Sequence, residues 1–261
     1  MMQRDKRFSA ENIGFYLKEK RNIVIFDELE STNTTLKGMA ENGESEGTMV
    51  IAYTQSGGRG KLGRIFFSPD GGIYMSLLLR PKADSFKASM ITVAASSAVA
   101  AAIEKVCGIA CGIKWVNDIF YDGKKICGIL TEAEVNHKNG MMNYAILGIG
   151  INLYKPKNGF PRQLSDTAGY LFENRKCFDE APRLIAEIVN RFFDFYYELD
   201  GKKYLEEYRK RSVLIGSEIV YTSEDGVKNA RVTGIDDCAR LVIEENGREI
   251  KLSADTCVVC K

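Results

Sequence analysis

The chain contains 261 residues and has a formal net charge of +1, with 36 basic and 35 acidic side chains. This balance excludes a strong overall field that would attract nucleic acid or acidic lipid, so any anion-binding site has to be local. Seven cysteines at irregular spacing, without a secretory signal peptide, predict a reducing, cytoplasmic location and no disulfide framework. The longest run of small apolar residues, 94–103, is too short to cross a bilayer, which takes about 20 residues, so no membrane association is expected.

The N-terminal segment predicts two short helices separated by a strand. Residues 7–21 read as an amphipathic helix with Ser9 as its N-cap, and residues 23–26 read as a strand. Ser31-Thr32-Asn33 then begins a helix over 33–41. A Ser or Thr is expected at any helix start, so these residues alone do not distinguish capping from ligand binding.

A buried strand over 48–54 leads into the most unusual stretch of the chain, residues 55–64. This stretch contains four glycines and three cations, Arg59, Lys61 and Arg64. Clustered glycines indicate a backbone that needs positive φ or close contact with a ligand. Cations among exposed amide N–H groups suit phosphate or another anion. The same composition is also typical of a mobile, solvated basic loop.

Residues 58–63 satisfy the pattern G-x-G-x-x-G, but the context excludes its two common meanings. A dinucleotide-binding fingerprint opens a helix, whereas here a strand-like run, 65–67, and a turn follow. A kinase glycine loop requires catalytic-loop and metal-binding motifs downstream, and the sequence has neither. The phosphate-loop pattern also fails, because Leu62 follows Lys61 where Ser or Thr is required.

The middle of the chain predicts a strand over 73–79, a long alanine-rich helix over 86–107 and a hairpin of strands 125–134 and 142–153. Between the helix and the hairpin, Asn117 and Asp118 sit among apolar neighbours and must find partners, or cost about 1 to 3 kcal/mol each. His137, the single histidine, falls in the polar hairpin turn, so we expect no Ser-His or Cys-His mechanism.

The C-terminal part predicts a loop over 154–166, helices over 180–199 and 204–212, and then short alternating strands. The strands are expected at 218–221, 227–235, 241–244 and 249–252, with Asp225-Gly226 and Asn246-Gly247 as hairpin turns. Cys257 and Cys260 have C-x-x-C spacing within a strand-like run, where positions three apart face opposite sides. We therefore expect no zinc or redox role for them.

Four blocks together resemble the biotin protein ligases. They are Ser31-Thr32-Asn33, the loop Gly58 to Arg64, Lys114-Trp115-Val116-Asn117-Asp118-Ile119, and Lys124 to Leu130 followed by Gly148-Ile149-Gly150-Ile151-Asn152. They appear in the family's order and span most of the chain. Val116 stands where the family usually has proline, and Lys61 replaces an arginine found in many relatives.

The resemblance implies an α+β fold: a class II aminoacyl-tRNA-synthetase-like mixed sheet with flanking helices, plus a small C-terminal SH3-like β-barrel. It divides the chain into an N-terminal extension (1–22), a catalytic domain binding biotin and ATP (23–211) and the SH3-like domain (212–261). Some relatives carry an N-terminal winged helix-turn-helix. About twenty residues before the first strand leave no room for one, so we expect a form without a DNA-binding domain and without a nucleic-acid partner.

The resemblance also implies the roles of individual residues. The biotin-binding residues would be Ser31, Thr32, Asn33, Gln55, Arg59, Gly60, Lys61 and Lys125. The residues for ATP or the adenylate would be Gly58, Arg64, Asn117, Asp118 and Asn152, with Asp118 near Mg²⁺. Arg59, Lys61 and Lys125 would be catalytic. Phe160 would either stack on adenine or serve as a hydrophobic anchor.

The implied reaction joins biotin to a lysine of a biotin carboxyl carrier protein through biotinyl-5'-AMP. Biotin and ATP are substrates, and the cations with Mg²⁺ would reduce the repulsion between the carboxylate and the polyphosphate. A homodimer is compatible with the family. Two alternatives remain open: a lipoate or octanoate ligase or transferase of the same fold, and a non-catalytic biotin-binding regulator.

Overall fold

The computed structural model describes residues 7–84, 87–174, 179–223, 226–254, 256 and 258–260. The helices are α1 (Ala10–Tyr16), α2 (Thr32–Glu41), α3 (Lys87–Cys107), α4 (Glu180–Tyr196) and α5 (Lys203–Arg211). The first seven strands are β1 (Ile23–Leu29), β2 (Met49–Gln55), β3 (Ile73–Leu79), β4 (Gly112–Lys114), β5 (Asp118–Tyr121), β6 (Lys124–Val135) and β7 (Met142–Ile151). The last five strands are β8 (Glu218–Ser223), β9 (Gly226–Ile235), β10 (Leu241–Glu245), β11 (Arg248–Leu252) and β12 (Val258–Cys260).

The first seven strands form one mixed sheet in the order β1-β2-β3-β7-β6-β5-β4. Strands β1 and β2 are parallel, and every other neighbouring pair is antiparallel. The predicted hairpin of β6 and β7 is confirmed, with Leu130 opposite Gly148 and Gly128 opposite Gly150. The α+β class predicted from the sequence is therefore correct.

The two faces of this sheet bury different sets of side chains, as the alternation of a β-strand requires. On one face, Met49, Ile51 and Tyr53 of β2 pack with α3 and α4 in the main hydrophobic core. On the other face, Val50 and its neighbours Leu36, Ala40, Leu78, Tyr144 and Ile146 form a small second core beneath α2. The remaining part of this second face is open and carries the candidate site.

Helix α3 is the main buried helix of the molecule. By length and composition it could cross a membrane, but 72% of its most apolar window is buried inside the protein. Its buried alanines and serines allow the helix to lie close to the sheet and to α4 and α5. Ser97 Oγ, for example, donates a 2.8 Å hydrogen bond to the carbonyl of Tyr204 in α5. The predicted start of this helix, Phe86, lies outside the described residues.

The last five strands form a separate antiparallel sheet in the order β11-β10-β9-β8-β12. The Asn246-Gly247 turn is confirmed, and both residues have positive φ, 51° and 75°, as a tight hairpin turn requires. Asp225 of the other predicted turn, and Cys257 of the C-x-x-C pair, lie outside the described residues. Closure of this sheet into an SH3-like barrel stays a prediction.

Candidate active site

A cavity of about 480 Å³ opens on the sheet face that α2 leaves uncovered. Its floor comes from β3, β6 and β7, and its walls come from the start of α2, the glycine-rich loop and the 160–168 segment. All but one of the predicted site residues line it: Ser31, Thr32, Asn33, Gln55, Arg59, Gly60, Lys61, Arg64, Asn117, Asp118, Lys125 and Asn152. The fold thus brings four distant sequence blocks to one place, and the exception is Gly58.

One end of the cavity is bordered by a network of polar groups, all of which are uncharged except Glu132. Gln55 Oε1 accepts a 2.8 Å hydrogen bond from the Thr32 amide, and Gln55 Nε2 donates a 2.9 Å bond to Ser68 Oγ. Thr32 Oγ1 lies 3.1 Å from Gln55 Oε1 and 2.8 Å from Ser76 Oγ, which is itself 2.6 Å from Asn33 Oδ1. The two hydroxyls have one hydrogen each for these three contacts, so the network is one donor short.

Glu132 closes this network on the side of the glycine-rich loop. Its Oε2 accepts a 2.7 Å hydrogen bond from Asn33 Nδ2, and its Oε1 lies 3.0 Å from Arg59 Nη2. Arg59, which we expected to act on the reacting anions, is thus paired with a carboxylate on β6 in this structure. We refer to Thr32, Asn33, Gln55, Ser76 and Glu132 as the polar network.

The other end of the cavity is charged. Lys125 Nζ lies 2.6 Å from Asp118 Oδ1, and both side chains are roughly one-third exposed or less (33% and 26%). Asp118 Oδ1 is buried and receives no well-directed hydrogen bond, so the contact is a charge pair with loose geometry. Lys125 Nζ also lies 6.0 Å from the centre of the Phe66 ring. A cation here is placed to meet an anionic ligand.

The segment between β4 and β5 is held on several sides, which fixes Asn117 and Asp118. Asn117 Nδ2 donates a 2.8 Å bond to the Ile129 carbonyl, and the Ile129 amide donates a 3.0 Å bond back to the Asn117 carbonyl. Tyr208 Oη donates to the Val116 carbonyl at 3.0 Å, and Trp115 Nε1 donates to the Ala239 carbonyl at 2.9 Å. The prediction of partners is confirmed for Asn117 by these hydrogen bonds, whereas Asp118 has its charge pair with Lys125. The bond from Trp115 reaches the C-terminal sheet.

The glycine-rich loop folds back on itself. The resemblance assigned Gly58 to ATP or the adenylate and Gly60 to biotin. In the structure the Gly60 amide donates a 2.7 Å bond to the Arg64 carbonyl, because the two limbs of the loop pair through an Arg59–Ile65 bridge. A Cβ at Gly58 would collide with the Phe66 carbonyl and Ser68 Oγ, so glycine is required there by close approach of the chain.

Lys61 does not point freely into the cavity. Its ammonium group donates a hydrogen bond to the backbone carbonyl of Ala254, between β11 and β12 of the C-terminal sheet. Together with the bond from Trp115 to Ala239, this makes a second direct link from the site to that sheet. The same lysine lines a neighbouring groove of about 740 Å³ between the two sheets.

The glycines of β6 and β7 lie beneath side chains of the protein itself. In the structure the Phe66 ring lies over Gly150 and Gly128, where an added Cβ would come within 2.7 Å and 3.1 Å of ring atoms, and Asn33 lies over Gly148. The small residues therefore make room for the protein's own side chains, which form the cavity wall.

Phe160 lines the cavity from the 154–166 loop. Its ring lies 6.3 Å from the ring of Phe67 and 6.5 Å from the ring of Tyr170, measured between centroids. Asn152 supports the same region, since its Nδ2 donates a 2.9 Å bond to the Gly169 carbonyl. Phe160 is thus anchored among aromatic side chains while it faces the cavity.

A thiolate nucleophile is not available at the floor of the site. Burial raises the pKa of the Cys127 thiol far above its usual range, although the nearby Lys125 ammonium lowers it somewhat. Among the residues that the structure describes, no group of three or more His, Cys, Asp or Glu side chains is placed to hold a metal ion. The polar groups that line the site are cations, amides, hydroxyls and carboxylates, Asp118 among them.

Three residues in or around the cavity are not among those predicted from the sequence: Ser76, Glu132 and Phe66. Ser76 is a single hydroxyl residue in the otherwise apolar strand β3 and is fully buried. Glu132 shares a face of β6 with Gly128 and Leu130, which line the cavity. Both signals were present in the strand alternation. Phe66 follows the basic loop directly, but no sequence pattern showed that its ring would cover the glycines.

Comparison with known proteins defines the class. A model of the Biotin/lipoate A/B protein ligase family matches residues 25–152, the segment that supplies most of the cavity. The Bifunctional ligase/repressor BirA of Bacillus subtilis is 34% identical over 94% of this chain and 77% of its own length. The Biotin--[acetyl-CoA-carboxylase] ligase of Mycobacterium tuberculosis is 27% identical, covering 90% of this chain and 87% of its own.

A solved structure agrees with these relatives. The biotin protein ligase from Aquifex aeolicus, in complex with biotin and ATP, superposes with a TM-score of 0.76 at 25% identity, covering 92% of this chain and 99% of that one. The chain belongs to the biotin protein ligases of the Biotin/lipoate A/B protein ligase family. It is therefore an enzyme of the ligase class.

Proposed function

We propose that this protein activates biotin with ATP to biotinyl-5'-AMP and transfers the biotinyl group to a lysine of a biotin carboxyl carrier protein. The observation that carries the proposal is the division of one cavity into two chemical ends. The polar network suits a neutral ureido ring, because a ring N–H can supply the hydrogen-bond donor that the network lacks. Lys125, at the other end, suits the carboxylate of the valeryl chain.

In the first half-reaction a carboxylate oxygen of biotin attacks the α-phosphorus of ATP, and the bond to pyrophosphate breaks. Both reactants are anions, so their approach needs positive charge that is already in place. Lys125 supplies it at the carboxylate, and we assign Arg64, Asn117 and Asn152 to the nucleotide. Lys125 exchanges its partner Asp118 for the substrate carboxylate, which leaves the Asp118 oxygen without its cation.

In the second half-reaction the neutral amine of the acceptor lysine attacks the carbonyl carbon of the mixed anhydride. The carbon–oxygen bond to AMP breaks, AMP leaves with the electron pair, and the nitrogen loses one proton. We assign Asp118 as the acceptor of that proton. No protein nucleophile is needed, because the anhydride is already the activated electrophile.

Mg²⁺ is usually held by one or two carboxylates together with substrate phosphates. The structure fits this mode, since Asp118 Oδ1 is a buried oxygen without a well-directed hydrogen bond. Asp118 would hold the ion with the phosphates of ATP, and the ion would supply further charge neutralisation when bound. The Asp118 carboxylate would thus be an ion ligand in the first half-reaction and the proton acceptor in the second.

The domain division, the location and the oligomeric state of the protein are proposed from the family resemblance and from composition. We assign catalysis to residues 23–211, with 1–22 as an extension and 212–261 as the C-terminal domain that bonds to Trp115 and Lys61. A balanced charge and free cysteines support a cytoplasmic enzyme that does not bind nucleic acid. We also propose a homodimer, which sedimentation at several protein concentrations would test.

The decisive experiment is an incubation of the protein with labelled biotin, ATP, Mg²⁺ and a carrier domain. Label on the carrier lysine is expected, and its absence would refute the transfer reaction. Offering lipoate and octanoate in a parallel ATP–pyrophosphate exchange assay separates the biotin ligase from the lipoate and octanoate enzymes of the same fold. Biotin binding without exchange and without transfer to a carrier would favour a non-catalytic regulator.

A further inference from the structure

Glu132 of β6 binds two residues that come from different parts of the chain. Its Oε2 accepts from Asn33 Nδ2 at 2.7 Å, and its Oε1 lies 3.0 Å from Arg59 Nη2. Asn33 belongs to the first turn of α2, and Arg59 belongs to the glycine-rich loop. One carboxylate therefore ties the head-group end of the cavity to the loop that covers it.

The chemistry of the three groups makes a carboxylate the matching side chain at this position. A guanidinium group only donates hydrogen bonds, and the Nδ2 of Asn33 is also a donor. An ionised carboxylate only accepts, and its two oxygens serve both donors at once. A glutamine in the same place offers one oxygen, so its amide nitrogen would face either Asn33 or Arg59 as a second donor.

The carboxylate also sets the orientation of the Asn33 amide. Because Nδ2 points to Glu132, Oδ1 has to point toward Ser76 Oγ, which lies 2.6 Å away. Asn33 is 5% exposed and rests on Gly148, where an added Cβ would collide with Oδ1. Because the side of the amide that faces Gly148 has no free space, the partner of Nδ2 determines which way round the Asn33 amide is oriented.

We propose that Glu132 is a positioning residue for biotin: it fixes the polarity of the Asn33 amide and anchors Arg59 over the head group. The inference rests on the proposed function, because it assumes that the polar network holds the ureido ring. Glu132 contacts neither Lys125 nor Asp118 in the structure, whose charge pair is a separate one. Its loss should therefore affect biotin binding far more than the chemical step.

The test compares Glu132→Gln with Glu134→Gln in the full-length protein, using biotin-dependent ATP–pyrophosphate exchange. Glu134 is the matched control, since it lies two residues further along the same face of β6, is exposed, and is 3.8 Å from Lys37. For Glu132→Gln we expect the KM for biotin to rise about tenfold while kcat stays within about twofold. For Glu134→Gln both constants should equal those of the parent. An unchanged biotin KM in Glu132→Gln would overturn the inference.

A reciprocal exchange separates positioning from simple structural support. Asn33→Asp alone places two carboxylates together and should weaken biotin binding more than Glu132→Gln does. The double variant Asn33→Asp/Glu132→Gln restores a carboxylate–amide pair in the reverse sense and should recover part of the lost affinity. A double variant no better than Asn33→Asp would contradict the proposal. Thermal unfolding of all variants shows whether each one folds.

The outcomes distinguish this inference from the proposed function. A parent protein without biotin-dependent exchange would refute the proposed function. An active parent with an unaffected Glu132→Gln variant would refute only the positioning role of Glu132.

Discussion

The two ends of the cavity are built on different principles. At the polar network, Gln55 bonds the Thr32 amide and Ser68, and Asn33 bonds Glu132, so side-chain directions are fixed before a ligand arrives. At the charged end, Lys125 and Asp118 form one close pair that lacks a well-directed hydrogen bond.

This difference matches the two tasks of a ligase. Recognition of a neutral ring gains from donors and acceptors that need no rearrangement, because ordering them on binding would reduce affinity. Activation of a carboxylate needs a cation that can leave its resting partner for the substrate. We therefore expect substitutions at the polar network to change KM and substitutions at the charged pair to change kcat.

The largest effect is expected from Lys125→Ala. Removing a charge that neutralises a developing anion typically costs about 100-fold or more in rate, so biotin-dependent ATP–pyrophosphate exchange should fall by that factor. Lys124→Ala is the matched control, because Lys124 is exposed and donates to the Ser165 carbonyl at 3.2 Å. Equal exchange rates in the two variants would contradict the assignment of Lys125.

The second largest effect is expected from Gln55→Leu. This change removes the amide oxygen that accepts from Thr32 and the amide nitrogen that donates to Ser68. The Thr32 amide would lose its acceptor, and an unsatisfied buried donor costs about 1 to 3 kcal/mol. If this cost falls on the ligand-binding state, the KM for biotin rises about 5- to 150-fold. The neighbouring exposed residue provides the control, Ser56→Ala. If kcat falls while KM is unchanged, the division between the two ends is wrong.

A smaller effect is expected from Trp115→Phe, which keeps an aromatic ring but removes the 2.9 Å bond to the Ala239 carbonyl. Loss of that bond should lower the free energy of unfolding by about 1 kcal/mol or somewhat more, as measured by urea denaturation. Tyr121→Phe nearby, at a 40% exposed side chain, should change it little. A variant as stable as the parent would show that this hydrogen bond between the sheets does not contribute to the stability of the protein.

The smallest effect concerns pH. Burial raises the pKa of the Cys111 thiol from 9.0 to about 12. Its neutral form is therefore favoured in the folded state, and this contribution to stability is complete below pH 9 and is lost as the pH rises toward 12. The urea midpoint of Cys111→Ala should fall less between pH 9 and pH 11 than that of Cys238→Ala, whose thiol is exposed. Parallel pH profiles would contradict the shift.

Most elements could be predicted from the sequence because their periodicity is local. The strand at 73–79 and the hairpin of β6 and β7 show this best. The cavity residues followed from the resemblance of four sequence blocks. What could not be predicted were bonds between distant positions, such as Asn33 to Glu132, 99 residues apart, and Lys61 to Ala254, 193 residues apart. Composition shows that the glycine-rich loop is basic, but it does not show which of its cationic side chains are already paired with other groups of the protein.

The two bonds from the site to the C-terminal sheet, made by Trp115 and Lys61, both end on main-chain carbonyls. Every amino acid has a main-chain carbonyl, so the residues at positions 239 and 254 can be replaced without loss of these hydrogen bonds. The condition is that the backbone of the two loops keeps its conformation. Insertions and deletions there should consequently harm the enzyme far more than point replacements. A map of tolerated indels would reveal a dependence that residue-by-residue comparison overlooks.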